Sequence, residues 1–187
     1  MMTRPEQLLR AAERPFTPWK NGGGLTAEVL CVPQGAGFDA FDWRISTARV
    51  TQSGPFSIFP GVERSLSVIA GGAMILHFGD GADITISRQS EAVAFSGSRP
   101  CEAELQGEPL LDLNVMVRAP YACSVRAPDQ PGVCSGPVVA RYLFALTEIP
   151  ALGLETHDLA VLNGMPETAW ADLPGDDARL IEISGRT

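Results

Sequence analysis

Few residue types in this chain can do chemistry, and three short segments hold most of them. PWKNGGGLTAEV (18–29) sets Lys20 and Asn21 beside a glycine triple. Closely spaced glycines let backbone N–H groups approach an anion. The G-x-x-x-x-G-K-[ST] order is missing, however, and the residues that follow read as a strand. A helix N-terminus is what turns such a loop into a phosphate site. The triple therefore reads as a tight turn or bulge entering a strand. Lys20 and Asn21 then either face a ligand or lie on a solvated loop.

GPFSIFPGVERSL (54–66) packs and turns through its Phe, Pro and Gly residues, which set where Glu63 and Arg64 point. A guanidinium is always charged and presents a planar donor fork that suits a carboxylate. The alternative is a surface Glu63–Arg64 arrangement of little energetic weight. In LLDLNVMVR (110–118), Asp112 and Asn114 are two residues apart and share one strand face. In a barrel, one face of each strand lines the interior or its mouth. Polar groups there need hydrogen bonds. Either a ligand or a neighbouring strand supplies them, and Arg44 is one candidate neighbour.

The histidines count against a metal. There are 2, His77 and His157, far apart in sequence. Metal-dependent β-barrel enzymes need several His or carboxylate ligands at strand spacing, and neither H-x-H nor H-E-x-x-H occurs. The same scarcity weakens Ser-His-Asp and Cys-His mechanisms. A carboxylate pair doing acid–base work remains open. The 4 cysteines, Cys31, Cys101, Cys123 and Cys134, lack C-x-x-C spacing and read as reduced, mostly buried thiols.

The elements that must position these residues are strands. Alternation with period two runs through LTAEVLCV (25–32), with Leu25, Ala27, Val29 and Cys31 on one face. In FDWRISTARV (41–50), Phe41, Trp43 and Ile45 oppose Asp42, Arg44 and Ser46. SLSVIA (65–70), AMILHF (73–78), DITIS (83–87) and EAVAF (91–95) read as further short strands, with turns at PQGAG (33–37), 60–61, AGG (70–72) and GDGAD (79–83). LLDLNVMVR opposes Leu111, Leu113, Val115 and Val117 to Asp112, Asn114, Met116 and Arg118. Strands about ten residues apart predict a sandwich or barrel. Only 5–14 and part of 166–173 suggest helix. Residues 119–137, rich in Pro and small residues, read as a connection between β-rich halves, and 138–146 and 154–164 resume the strand pattern.

The composition fits a globular domain: 187 residues, 45% hydrophobic and 19% charged, with 19 Gly and 15 Pro spread along the chain. A formal net charge of −8 without a basic cluster argues against nucleic acid. No secretory signal and no stretch of about 20 apolar residues is visible, so a cytoplasmic location away from membranes is expected.

Taken together, the segments at 18–28, 41–46 running on to 54–66, and 112–118, with a weaker match at Phe95–Gly97, resemble the HutD/Ves family in order and spacing. The likeness fades over 119–187. It implies an all-β bicupin: two antiparallel cupin-like (jelly-roll) β-barrel halves in one compact unit, with few short helices. The whole of 1–187 is then one domain, with a first half of about 1–118, a connection over 119–137 and a second half over 138–187. It also implies a pocket without the cupin metal, lined by Lys20, Asn21, Arg64, Asp112 and Asn114, in which Asp112 orients Arg64 or accepts from a ligand N–H. The expected function is a metal-free sensor or regulator that binds a small carboxylate metabolite of histidine degradation, N-formylglutamate or urocanate. The alternative is a metal-independent cupin isomerase or lyase acting on a small carboxylate, with Lys20 or Asp112 as acid or base. A metal-dependent oxygenase and a purely structural module rank behind both. No cofactor and no catalytic residue are assigned, and a homodimer is left open.

Overall fold

The computed structural model describes residues 5–132, 134 and 136–185. Its strands in chain order are β1 (Gln7–Leu9), β2 (Thr17–Pro18), β3 (Gly24–Val32), β4 (Trp43–Val50), β5 (Gly54–Pro55), β6 (Val62–Phe78), β7 (Asp83–Ile86), β8 (Val93–Ser96), β9 (Cys101–Arg118), β10 (Tyr121–Arg126), β11 (Val138–Ala145), β12 (Leu159–Val161) and β13 (Ala178–Gly185). The helices among the described residues are single 3-10 turns, and none is long and apolar enough to cross a membrane. The protein is all-β, with two antiparallel cupin-like halves.

The half formed by Pro15–Ala119 carries an antiparallel sheet in the order β2-β3-β4-β9-β6-β7, with β5 added to β9 and β8 to β6. Leu66, Val68, Met74, Leu76, Phe78, Ile86 and Phe95 form its main core. The two segments read as separate strands at 65–70 and 73–78 are one strand, β6. The AGG between them is a pair of irregularities against β9 instead of a hairpin turn. Gly71 makes this possible: its φ is +84°, and a Cβ there would lie 2.3 Å from the Pro109 carbonyl oxygen.

The other half takes residues before Pro15 as well as those after Ala119. Its antiparallel sheet runs β1-β12-β11-β13-β10, over a core that includes Leu143, Leu152, Leu162, Trp170 and Leu180. Two readings change here. Residues 7–9 form a strand paired with β12, not a helix, with only a 3-10 turn following at Ala11–Glu13. Three residues are too few to show a period. Within 119–137, Tyr121–Arg126 forms strand β10 against β13. All its residues are half-buried, as suits a sheet edge, so no contrast between faces marks the strand in the sequence. Over 166–173 the helical turn is limited to Glu167–Ala169.

Candidate functional site

The site is built on the middle three strands of the Pro15–Ala119 sheet. Met116 on β9 stands opposite Arg44 on β4 and Arg64 on β6; Asn114 stands opposite Ser46 and Leu66, and Asp112 opposite Ala48 and Val68. Because strand side chains alternate, Arg44, Ser46, Arg64, Asp112, Asn114 and Met116 all project from one face. That face floors an open cavity of about 1230 Å³. The alternate positions Ile45, Leu113, Val115 and Val117 are apolar and fully buried.

A bulge in β3 completes the floor. Glu28 pairs with Ser46, whereas Leu30 pairs with Ile45 and Cys31 with Arg44. Val29 is the extra residue, so both Glu28 and Cys31 fall on the cavity side. Cys31 packs there with Phe41, Val62 and Met116. Simple alternation puts Cys31 on the face of Ala27, and the bulge reverses that placement.

Arg64 is the central cation. It is 6% exposed, while Glu63 beside it points to solvent on the other face of β6, so the two do not pair. Arg64 Nε donates to Asn114 Oδ1 at 3.4 Å, and Nη1 donates to the Ser57 carbonyl at 3.5 Å. The rings of Phe56, Phe59 and Phe95 lie 5.3, 5.7 and 5.0 Å from its guanidinium carbon. Aromatic faces and long hydrogen bonds thus hold a buried cation with no carboxylate at ion-pair distance among the described residues. Burial pulls its pKa below the ordinary value, and Asp112 pulls the other way. Asn114, one pleat nearer than Asp112, takes a hydrogen bond from Arg64, and Asp112 acts on Arg64 through its charge.

Asp112 is 3% exposed, and its Oδ1 has no hydrogen-bond partner among the described residues. Burial pushes its carboxyl up to about 7, against the pull of the Arg64 charge and the Ala48 backbone amide. Near neutral pH it is therefore divided between acid and carboxylate, which suits proton transfer and hydrogen-bond donation alike.

Lys20 and Asn21 sit on the exposed turn between β2 and β3 and line the same cavity. Asn21 Oδ1 accepts from the Gly23 amide at 3.1 Å and closes that turn. The glycine triple is a turn into a strand: Gly22 has φ +73°, and a Cβ on Gly24 would lie 2.5 Å from the Arg49 carbonyl oxygen. All five residues singled out in the sequence, Lys20, Asn21, Arg64, Asp112 and Asn114, line this one cavity.

Three further groups enter. Glu28 lies 3.0 Å from Arg44 Nε and neutralises it. Arg118 donates to the carbonyls of Pro60 at 3.1 Å and Phe38 at 2.7 Å, bracing the loops that wall the cavity. Strand alternation already places both Glu28 and Arg118 on the cavity side. Phe56 and Phe59 carried no such signal, because they stand outside the regular strands. Their loop is fixed from a distance by Gly97, whose amide donates to the Val62 carbonyl at 2.6 Å and whose carbonyl accepts from the Phe59 amide at 2.8 Å. The Phe95–Gly97 segment thus supplies both a ring against Arg64 and the clamp on the 56–61 loop.

His77 and His157 do not line the cavity. His77 is held between Asp83 at 2.8 Å and Glu104 at 3.0 Å. Among the described residues, no group of three or more His, Cys, Asp or Glu is placed to hold a metal ion, and none of the four cysteines is in a disulfide.

These features define a cupin-like β protein whose cavity is set by guanidinium, amide and one near-neutral carboxyl group. The HutD family model matches residues 11–131, and the chain belongs to that family. It is 41% identical over 186 residues to an uncharacterized 21.2 kDa protein in the hutC 3′ region of Pseudomonas putida, covering 96% of this chain and 93% of that one. It is 36% identical over 105 residues to protein Ves of Citrobacter koseri, covering 56% of this chain and 53% of Ves. Among solved structures, HutD from Pseudomonas fluorescens SBW25 superposes with a TM-score of 0.76 at 25% identity, covering 97% of this chain and 99% of that chain. A conserved protein of unknown function from Pseudomonas aeruginosa PAO1 gives 0.67 at 28% identity, covering 96% and 92%.

Proposed function

We propose that the chain is a metal-free binding protein for a small carboxylate metabolite of histidine degradation, N-formylglutamate or urocanate, and acts as a sensor or regulator. The observation that carries this reading is Arg64: a buried guanidinium on the cavity floor with only neutral hydrogen-bond partners among the described residues. Such a group gains most from an incoming anion, since a desolvated guanidinium–carboxylate pair is stronger than either neutral bond it makes now. Lys20 at the exposed end of the cavity suits a second carboxylate or an amide oxygen. Asn114 offers an amide next to Arg64, and Asn21 offers its own beside Lys20. The position of one relative in the hutC 3′ region and the name HutD favour the histidine pathway as the source of the ligand.

The test is the melting temperature of the full chain with and without millimolar N-formylglutamate, urocanate and histidine. A ligand at a hundredfold excess over its Kd adds about 2.7 kcal/mol, several degrees for a domain of this size. A shift that Arg64→Ala abolishes supports the assignment, and binding that survives Arg64→Ala overturns it.

Asp112 favours one second reading. A buried carboxyl that titrates near neutrality is suited to general acid–base work, as an isomerase or lyase acting on the same small carboxylate requires. NMR of a bound candidate over hours separates the two: signals of a new product would make the chain an enzyme.

A further inference from the structure

Asp112 gives the cavity a second property, which rests on the anion-binding reading above. Its Oδ1 is buried, lacks any hydrogen-bond partner among the described residues and belongs to a residue lining the cavity. It lies one pleat beyond Asn114, on the same face of β9. A buried carboxylate oxygen without a donor is costly, and so is an O–H without an acceptor. A bound carboxylate is the group that satisfies such an O–H.

We propose that the site takes up its anion together with one proton from solvent, carried on Asp112, so that the ligand carboxylate accepts from both the Arg64 guanidinium and the Asp112 O–H. Without ligand, Arg64 and ionised Asp112 attract each other across the cavity floor without forming an ion pair. A carboxylate arriving at Arg64 places a second negative charge beside Asp112. Two carboxylates sharing one buried cation do not both stay ionised, and the pair retains a proton. Because Asp112 already titrates near 7, the anion only has to tip a balance.

The groups around Asp112 leave it the natural holder of that proton. From β6 comes Arg64, from β4 Arg44 with its partner Glu28 on β3, and from β9 itself Arg118, bound to two carbonyls. Lys20 and Asp39 line the cavity from loops, and neither histidine does. The Cys101 thiol, which also feels Arg64, is pushed upward by burial, away from neutrality.

The experiment is calorimetric titration of N-formyl-L-glutamate, whose carboxylates have ordinary pKa values far below 6, into the full chain at pH 6 and pH 8. Each pH is run in two buffers of different ionisation enthalpy. The expected result is about tenfold weaker binding at pH 8 than at pH 6, with uptake of about one proton at pH 8 and almost none at pH 6. Asp112→Asn, which keeps a donor but cannot ionise, should flatten the pH dependence. If that variant does not fold, the wild-type proton count decides alone. Equal affinity at both pH values with no proton uptake overturns the proton coupling and leaves the anion site standing. Absence of binding at either pH overturns both.

Discussion

Arg44 and Arg64 flank Met116, each directly in register with it, one from β4 and the other from β6. Their Cα atoms are therefore two strand spacings apart, about 10 Å. The two guanidinium groups share a face and a cavity but differ in their partners. Glu28 neutralises Arg44, whereas the hydrogen-bond partners of Arg64 are an amide and a backbone carbonyl. Of the two, Arg64 is the one with no carboxylate at ion-pair distance among the described residues.

That asymmetry predicts the result of Arg64→Lys. Lysine keeps the charge but loses the fork that bonds Asn114, Ser57 and a ligand together. Affinity for N-formylglutamate should fall by at least about tenfold, or roughly 1.4 kcal/mol, in calorimetry. Wild-type affinity in the lysine variant would show that charge alone suffices.

Glu28→Gln should act in the opposite direction. The Glu28 side chain is 49% exposed, so its pair with Arg44 contributes at most about 1 kcal/mol to folding, and the melting temperature should hardly move. The freed Arg44 would add positive potential to the cavity, and N-formylglutamate should bind a few-fold tighter with a steeper salt dependence. Equal affinity and an unaltered salt slope would remove Arg44 from the site.

Asp112 also predicts how stability varies with pH in the absence of ligand. Its carboxyl lies at about 7 in the folded chain, against an ordinary value of 3.8, so folding raises its proton affinity. The associated stability is complete below the ordinary value and is lost as pH rises through about 7, on the order of 4 kcal/mol in total. Asp112→Asn removes that loss. Denaturant melts should show its advantage over wild type growing by roughly 2 to 3 kcal/mol between pH 5 and pH 8. A constant gap would mean that Asp112 is ionised throughout.

Gly97→Ala tests the clamp on the aromatic loop. A Cβ at that position would lie 2.7 Å from the Phe59 carbonyl oxygen and 3.0 Å from that of Val62. The loop carrying Phe56 and Phe59 must then shift, at about 1 to 3 kcal/mol, and the aromatic packing around Arg64 loosens. Both the melting temperature and the ligand-induced shift should fall. A loss of stability with the full ligand-induced shift retained would confine Gly97 to folding.

Much of this was legible in local pattern. Alternation in LLDLNVMVR placed Asp112, Asn114, Met116 and Arg118 on one strand face, where the structure has them, and the glycine triple read correctly as a turn. The breaks in pattern were harder to read. The AGG of 70–72 has the composition of a hairpin, yet β9 runs alongside both flanking segments and holds them in one strand. The bulge at Val29 moves Cys31 across the sheet, and nothing local announces it.

Residue types and their period of two were enough to establish an all-β chain and its polar strand faces, because side-chain alternation is a property of a few consecutive residues. Only the tertiary structure decided that Arg44 and Arg64 share Met116, that Asn114 rather than Asp112 holds Arg64, and that Gly97 fixes a loop some forty residues earlier in the chain. Those relationships depend on register and on contacts between distant segments. They are settled by how whole strands pack, and no local stretch of sequence encodes them.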